Sequence, residues 1–153
     1  MRKRTKRKVW ALIDPLTHAI VGASITHRDK LDKLRMLEYS ALEAMIKGQG
    51  TVTDWRTLVD VLNLSETMAR HNIGKDEVLP VCQKAQDALH QAAERYQKTL
   101  KMGLSGEGIK AVRDLIEYAD LQQSSISRSE FEKYIKKTKD YIKSNNDLVV
   151  EII

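Results

Sequence analysis

The stretch DKLDKLRMLEYSALEAMIKGQGTVTDWRTLVDVLNLSETMAR, residues 29–70, decides the fold class of this chain. Apolar residues recur in it at three- and four-residue steps, which is the spacing of one face of an α-helix. Gly48 and Gly50 interrupt the pattern, as glycines often do at the C-terminal end of a helix. The stretch therefore predicts two amphipathic helices joined by a short turn, with Thr51 or Thr53 capping the second. The predicted inner faces are Leu31, Leu34, Leu37, Ala41, Leu42 and Met45, and then Trp55, Leu58, Val59, Leu62 and Ala69.

Similar spacing on both sides of this stretch predicts four more helices. They start at Asp14-Pro15, near Asp76, at the cap Ser105 and at the capping box of Ser127 and Glu130. We expect the first helix to end near Thr26 and the long one that starts at Asp76 to end at Gly103. Two Pro and seven Gly in 153 residues suit long helices. The fold class predicted is all-α, a compact bundle of about five to six helices in one domain over residues 9–146.

The first eight residues form a basic arm that holds six cations and no acid. The net charge is +5, from 26 Lys and Arg against 21 Asp and Glu, so the rest of the chain is nearly neutral. This excludes a body covered with cations on every face. The arm can neutralise phosphates and release counterions, and Trp10 can stack on a base or anchor the arm to the bundle. The predicted ligands for phosphate are Arg2, Lys3, Arg4, Lys6, Arg7 and Lys8, together with Trp10.

The partner that this arm indicates is a nucleic acid or a nucleotide. An acidic protein surface, or no specific partner, is the alternative. A second group of lysines lies on the last helix, at positions 133, 136, 137, 139 and 143. Five acids accompany them from Glu130 onward, so we expect a neutral, solvated face there.

The chain ends in an apolar tail, residues 147–153. Its apolar members are Leu148, Val149, Val150, Ile152 and Ile153. The tail can pack across its own bundle, or it can add to another subunit or partner. Because exposed β-branched strings aggregate, we expect it to be covered, and homo-oligomerisation through it is a hypothesis.

The two helices of residues 29–74 have the layout of a helix-turn-helix unit. The second would then present its polar residues outward: Arg56, Thr57, Asn63, Ser65 and Arg70. It also carries Asp54, Asp60 and Glu66, which phosphates repel. Since a recognition helix is usually more cationic, we do not expect base readout from it.

No motif indicates a reaction. His90 and Glu94 lie one helical turn apart, but no further ligands complete a metal site, so we expect a surface pair. Glu117 and Asp120 are expected to be a solvated pair of acids, and the single cysteine, Cys82, a buried and inert thiol. We therefore predict that the protein is not an enzyme and binds no cofactor.

The basic start does not lead into a signal peptide, because Asp14 and Pro15 interrupt the apolar stretch that follows. No run of about 18 apolar residues occurs that could span a membrane. One cysteine allows no internal disulfide, which fits a reducing compartment. We expect a soluble cytoplasmic protein with no membrane partner.

Several runs resemble those of small helical proteins of temperate phages and prophages, over roughly residues 1–120. They are RKRTKRK at 2–8, DPLTHAIVG at 14–22, ALEAMIKGQGT at 41–51, LVDVLNLSE at 58–66, QDAL at 86–89 and LSGEG at 104–108. The resemblance implies a non-enzymatic accessory protein in the bacterial host cytoplasm, and it brings no catalytic residues. It implies regulation or counter-defence by binding an anionic partner. The alternative is an inhibitor of a host defence complex that acts through a helical face or the apolar tail.

Overall fold

The computed structural model describes residues 25–144, with side chains from residue 31 onward. This part of the chain consists of five helices and contains no strand. They are α1 (Ile25–Ile46), α2 (Val52–Arg70), α3 (Lys75–Thr99), α4 (Gly106–Ser124) and α5 (Arg128–Ser144). The prediction of an all-α bundle is confirmed. The basic arm, the apolar tail and the predicted first helix up to residue 24 lie outside the described residues.

The predicted boundary between Thr26 and Asp29 is wrong, because α1 is helical throughout these positions. No Gly or Pro occurs in residues 25–29, so nothing there stops a helix. Leu37, which we expected on the inner face of α1, is 57% exposed. None of the helices in residues 25–144 is both long and apolar enough to cross a membrane.

Side-chain caps begin three of the helices. Thr51 accepts a hydrogen bond from the Asp54 N–H at 3.1 Å, and the Asp54 carboxylate accepts one from the Thr51 N–H at 2.8 Å. Ser105 accepts from the Gly108 N–H at 3.2 Å at the start of α4. Ser127 and Glu130 form the predicted capping box at the start of α5. These caps satisfy N–H groups that have no partner within the helix itself.

α2 is the central helix, since it packs against all four of the others. Its indole anchor Trp55 is fully buried and donates a hydrogen bond to the Leu89 carbonyl at 2.9 Å. Asn63 and Ser65, which we expected to point outward, are 1% and 0% exposed. The expectation was wrong because helices on every side cover the second half of α2. A helix in this position cannot enter a DNA groove.

The loop between α1 and α2 and the loop between α3 and α4 are linked to each other by backbone hydrogen bonds. The Gly50 N–H donates to the Met102 carbonyl at 3.1 Å, and the Leu104 N–H donates to the Met45 carbonyl at 3.1 Å. A Cβ atom added at Gly103 would lie 3.0 Å from the Gly48 Cα atom. This close approach holds the end of α1 against the residues that lead into α4.

Candidate anion-binding surface

The predicted ligand residues of the arm, residues 2–8 and Trp10, lie outside the described part of the chain. The same is true of the apolar residues of the tail, 148–153. Their roles stay predictions. The site described below is therefore built from the residues of the bundle itself.

Charge is distributed unevenly among the five helices. α5 carries six cations and three acids, whereas α4 carries two cations and four acids. Each of the other three helices is within one charge of neutral. The described bundle therefore has one strongly basic helix, and it is the helix that packs on α2 from outside.

The packing of α5 determines which of its lysines reach solvent. Its inner face buries Phe131, Tyr134 and Thr138. Lys133 and three lysines at i, i+3 and i+7 are exposed on the other side. We call Lys136, Lys139 and Lys143 the α5 lysine face. Their Cα atoms rise along the helix by about 4.5 and 6 Å in turn, on the order of the charge spacing along a nucleic-acid strand.

Two acids of α5 have other partners. Glu130 accepts hydrogen bonds from the Ser127 N–H and hydroxyl at 3.4 and 3.2 Å. Glu132 accepts from the Arg128 Nε–H at 3.1 Å. Among the residues described, no acid forms an ion pair with Lys133 or with the α5 lysine face. The predicted solvated face is confirmed for the four exposed lysines, Lys133, Lys136, Lys139 and Lys143. Two of the five acids counted from Glu130 onward lie outside the described residues, so the predicted neutrality stays a prediction.

Lys137 has a different role from its neighbours. Its ammonium group donates to His71 Nε2 at 3.1 Å and lies 5.9 Å from the centre of the Tyr134 ring. Because an ammonium group can only donate, Nε2 must be the accepting nitrogen of the imidazole. His71 Nδ1 then carries the proton and donates to the Thr67 carbonyl at 2.8 Å. Lys137 thus fastens α5 to the end of α2.

α2 contributes a further cation beside the α5 lysine face. Arg56 and Lys139 both lie close to Asp60, the one acid that separates them. Partial burial raises the pKa of the Asp60 carboxyl, and the two cations oppose that rise. We call Arg56 and the α5 lysine face together the basic surface. Its four cations exceed the two acids beside them, Asp60 and the exposed Asp140 of α5.

A second charged cluster joins α1 to α4. The Arg35 guanidinium donates to Asp120, to Asp32 at 3.0 Å and to the Ser124 hydroxyl at 2.9 Å. The expectation that Asp120 and Glu117 form a solvated pair is therefore wrong for Asp120, which is half-buried against Arg35. The cluster is satisfied internally, so it explains how α1 is attached rather than what the protein binds.

Glu38 lies in this cluster and is 3% exposed. The pKa of its carboxyl is raised to about 7, because burial and then Asp120 raise it by more than Arg35 lowers it. Two other expectations are confirmed. His90 and Glu94 form an exposed pair at 2.9 Å, and Cys82 is buried, with burial raising the pKa of the thiol to about 12. In residues 31–144 no three His, Cys, Asp or Glu side chains converge on a metal-sized site.

A groove of about 420 Å³ lies between α3 and α4. It is open, and charges of both signs line it, among them Lys84, Asp87 and Glu107. Lys110 at its edge is already paired with Asp114 at 2.9 Å. Because acids lie beside its cations, this groove offers an anion less than the basic surface does.

No protein-family model matches the chain, and neither a curated protein nor a solved structure matches it. The function is therefore argued from the residues themselves.

Proposed function

We propose that this chain is a non-enzymatic, phage-type accessory protein that binds a polyanion, nucleic acid, through the basic surface and the basic arm. The observation that supports the proposal is the α5 lysine face, whose three cations are exposed and free of ion pairs with the described acids. Such cations can neutralise phosphates and release the counterions that are condensed on the nucleic acid. We place the protein in the bacterial cytoplasm, where nucleic acid is accessible to it.

The shape of the site favours a polymer over a single nucleotide. A nucleotide is usually held in a concave pocket with a few convergent polar groups. The lysines of the basic surface follow one line along the exposed side of a helix. A line of cations suits a backbone that carries a phosphate at every step.

The chemistry of the site favours recognition without sequence preference. Lysine on an exposed helix acts as a point charge, whereas base edges are usually read by bidentate arginine, asparagine or glutamine. The exposed side of α5 carries Lys, Glu and Asp and no side chain amide. We therefore expect contacts to phosphates, with the arm adding further contacts of the same kind.

The test is the salt dependence of binding to a mixed-sequence DNA duplex. The triple variant Lys136→Gln, Lys139→Gln, Lys143→Gln removes the α5 lysine face. The matched control Lys84→Gln, Lys98→Gln, Lys101→Gln removes the same charge from exposed positions elsewhere. Since each phosphate contact contributes about 0.9 to the slope of log K against log salt, the first variant is expected to lower the slope by about 2 to 3 and the control by less than about 1.

A variant that lacks residues 2–8 separates the contribution of the arm to DNA binding from that of the bundle. Its six cations are expected to contribute about 5 to the same slope if all of them contact phosphates. A flat salt response of the full chain contradicts the proposal. Equal losses in the two lysine triples would assign the binding to net charge instead of to the α5 lysine face.

A further inference from the structure

The outward side of α1 is unusually apolar for a helix on the surface. Seven large apolar side chains are exposed in residues 31–144, and four of them lie on α1. Met36 and Leu37 are the most exposed of the four, at 71% and 57%. The opposite side of the same helix buries Leu31, Leu42 and Met45 in the core. α1 therefore has an apolar inner face and an apolar patch on its outer face.

The outer face follows a seven-residue repeat. Its members recur at steps of three and four: Lys33, Met36, Leu37, Ser40, Glu43, Ala44 and Lys47. All of them except Ala44 are exposed. Positions 33, 40 and 47 form one row of the repeat, and positions 36 and 43 form the row beside it. The two rows have the spacing of a coiled-coil seam, but Met36 is the only apolar residue in them, so pairing along them has to rest mainly on polar and charged contacts.

The charges on this seam are arranged so that opposite charges meet when two copies of α1 pair antiparallel. Lys33 is at one end, Glu43 is ten residues further along, and Met36 and Ser40 lie between them. If a second α1 runs antiparallel with a two-fold axis at residue 38, Lys33 faces Glu43 of the partner subunit, and Met36 faces Ser40 of the partner subunit. Two-fold symmetry makes each of these contacts twice.

The two charged residues are available for such a contact. Lys33 forms no ion pair with any acid of the described bundle. Glu43 pairs only with Lys47 of its own helix, at 3.4 Å, and both side chains of that pair are well exposed. Exposed pairs one turn apart are weak, so exchanging this partner costs little. Small side chains at positions 40 and 44 let two helices approach closely, with Met36 between them.

We propose that α1 pairs antiparallel with α1 of a second copy of this chain, so that the protein forms a two-fold dimer through Lys33, Met36, Leu37, Ser40 and Glu43. The interface is small, so the dimer forms in a concentration-dependent manner. It presents two basic surfaces in one particle. The inference does not depend on nucleic-acid binding.

The test is charge reversal, followed by sedimentation equilibrium of the full chain at low ionic strength, where exposed pairs are least screened. Lys33→Glu or Glu43→Lys alone places like charges opposite each other twice in each dimer. We expect each to raise the dimer dissociation constant about tenfold. The double variant restores both pairs in reversed order and is expected to return to within about threefold of the natural chain. Lys98→Glu, at an exposed position of α3, is the matched control.

Urea unfolding of each variant shows whether its fold is intact, as expected for substitutions at exposed positions. A chain that is monomeric at every concentration overturns the proposal, as does a dimer that both single reversals leave unchanged. A dimer that instead disappears when residues 147–153 are deleted assigns the interface to the apolar tail. A monomer that still binds DNA overturns the dimer alone and leaves the proposed function standing.

Discussion

The carboxyl group of Glu38 is 3% exposed at the junction of α1 and α4, beside the ion pair of Arg35 and Asp120. Burial raises its pKa from 4.5 to about 7. The folded state therefore binds a proton more tightly than the unfolded state does. The stability that Glu38 contributes is fully present below pH 4.5 and is lost as the pH rises through about 7.

We expect Glu38→Gln to remove this pH dependence, because an amide keeps the shape and cannot ionise. Relative to the variant, the natural chain should lose on the order of 3 kcal/mol of unfolding free energy between pH 5 and pH 8. Urea unfolding at the two pH values measures the difference. The control Glu77→Gln changes an exposed carboxyl outside the proposed dimer interface and should follow the natural chain. Parallel pH profiles for the natural chain and Glu38→Gln would contradict the prediction.

Residues such as Glu38 and Asn63 show where prediction from sequence ends. Asn63 was placed by helical spacing alone, which gives the angle of a residue around its own helix but not the number of neighbours that cover it. The burial of Glu38 was not predicted at all. Asn63 is 1% exposed, and neither its amide nitrogen nor its oxygen has a hydrogen-bond partner among the described residues. A buried amide without hydrogen-bond partners is usually unfavourable. Neither helical spacing nor the polarity of the side chain therefore predicts that Asn63 is buried.

Among the elements, the starts of α2, α4 and α5 were predictable from their side-chain caps, whereas the start of α1 and the helix ends were less so. A capping side chain binds a backbone N–H no more than three residues away, as Ser105 does and as Ser127 and Glu130 do. The residues that form such a cap are therefore recognisable in a short stretch of sequence. The end of α3 is different. Leu100 takes the left-handed conformation at φ 57°, where glycine is usual, so the expected end at Gly103 was three residues too late.

Gly103 has another role, in the junction of the two loops. A Cβ atom at this position would lie 3.0 Å from the Gly48 Cα atom and 3.3 Å from the Met45 carbonyl oxygen. Both are backbone atoms, so the loops would have to separate. We expect Gly103→Ala to lower the unfolding free energy by about 1 to 3 kcal/mol, measured by urea unfolding.

Gly106→Ala is the matched control for this substitution. No atom lies within 4 Å of a Cβ atom there, and the residue begins α4. It should be neutral or stabilise the protein by up to about 1 kcal/mol, because alanine restricts the unfolded chain. A Gly103→Ala variant as stable as Gly106→Ala would show that the loop junction tolerates a side chain and adds little to stability.

The candidate site was partly readable in the sequence. The lysines of α5, the pair of Arg128 and Glu132 and the capping box are all local patterns. Helical spacing predicts that Phe131 and Tyr134 face inward, but the sequence could not show that α5 packs on α2, which places Lys139 and Arg56 near the same acid, Asp60. That arrangement depends on which helix α5 contacts, and contact between distant segments has no local signature.

At the scale of the whole molecule, the helices differ in how firmly they are held. α2 is surrounded by four helices, whereas α5 packs mainly on α2 and buries three side chains of its own. Regions with few buried contacts open at a lower free energy than the global unfolding of the protein. We therefore expect α5 to open locally while the other four helices stay folded.

Amide hydrogen exchange measures this order. We expect the amides of Val61–Ala69 in α2 to be the most protected and those of α5 to exchange at least about tenfold faster. If α5 binds nucleic acid, adding a DNA duplex stabilises its closed state by mass action and slows exchange in α5. The amides of α3 serve as the control, because DNA bound at the basic surface has no contact with them. Equal exchange in α2 and α5 would mean that the described bundle opens as one unit, and DNA could then protect α5 only by stabilising every helix together.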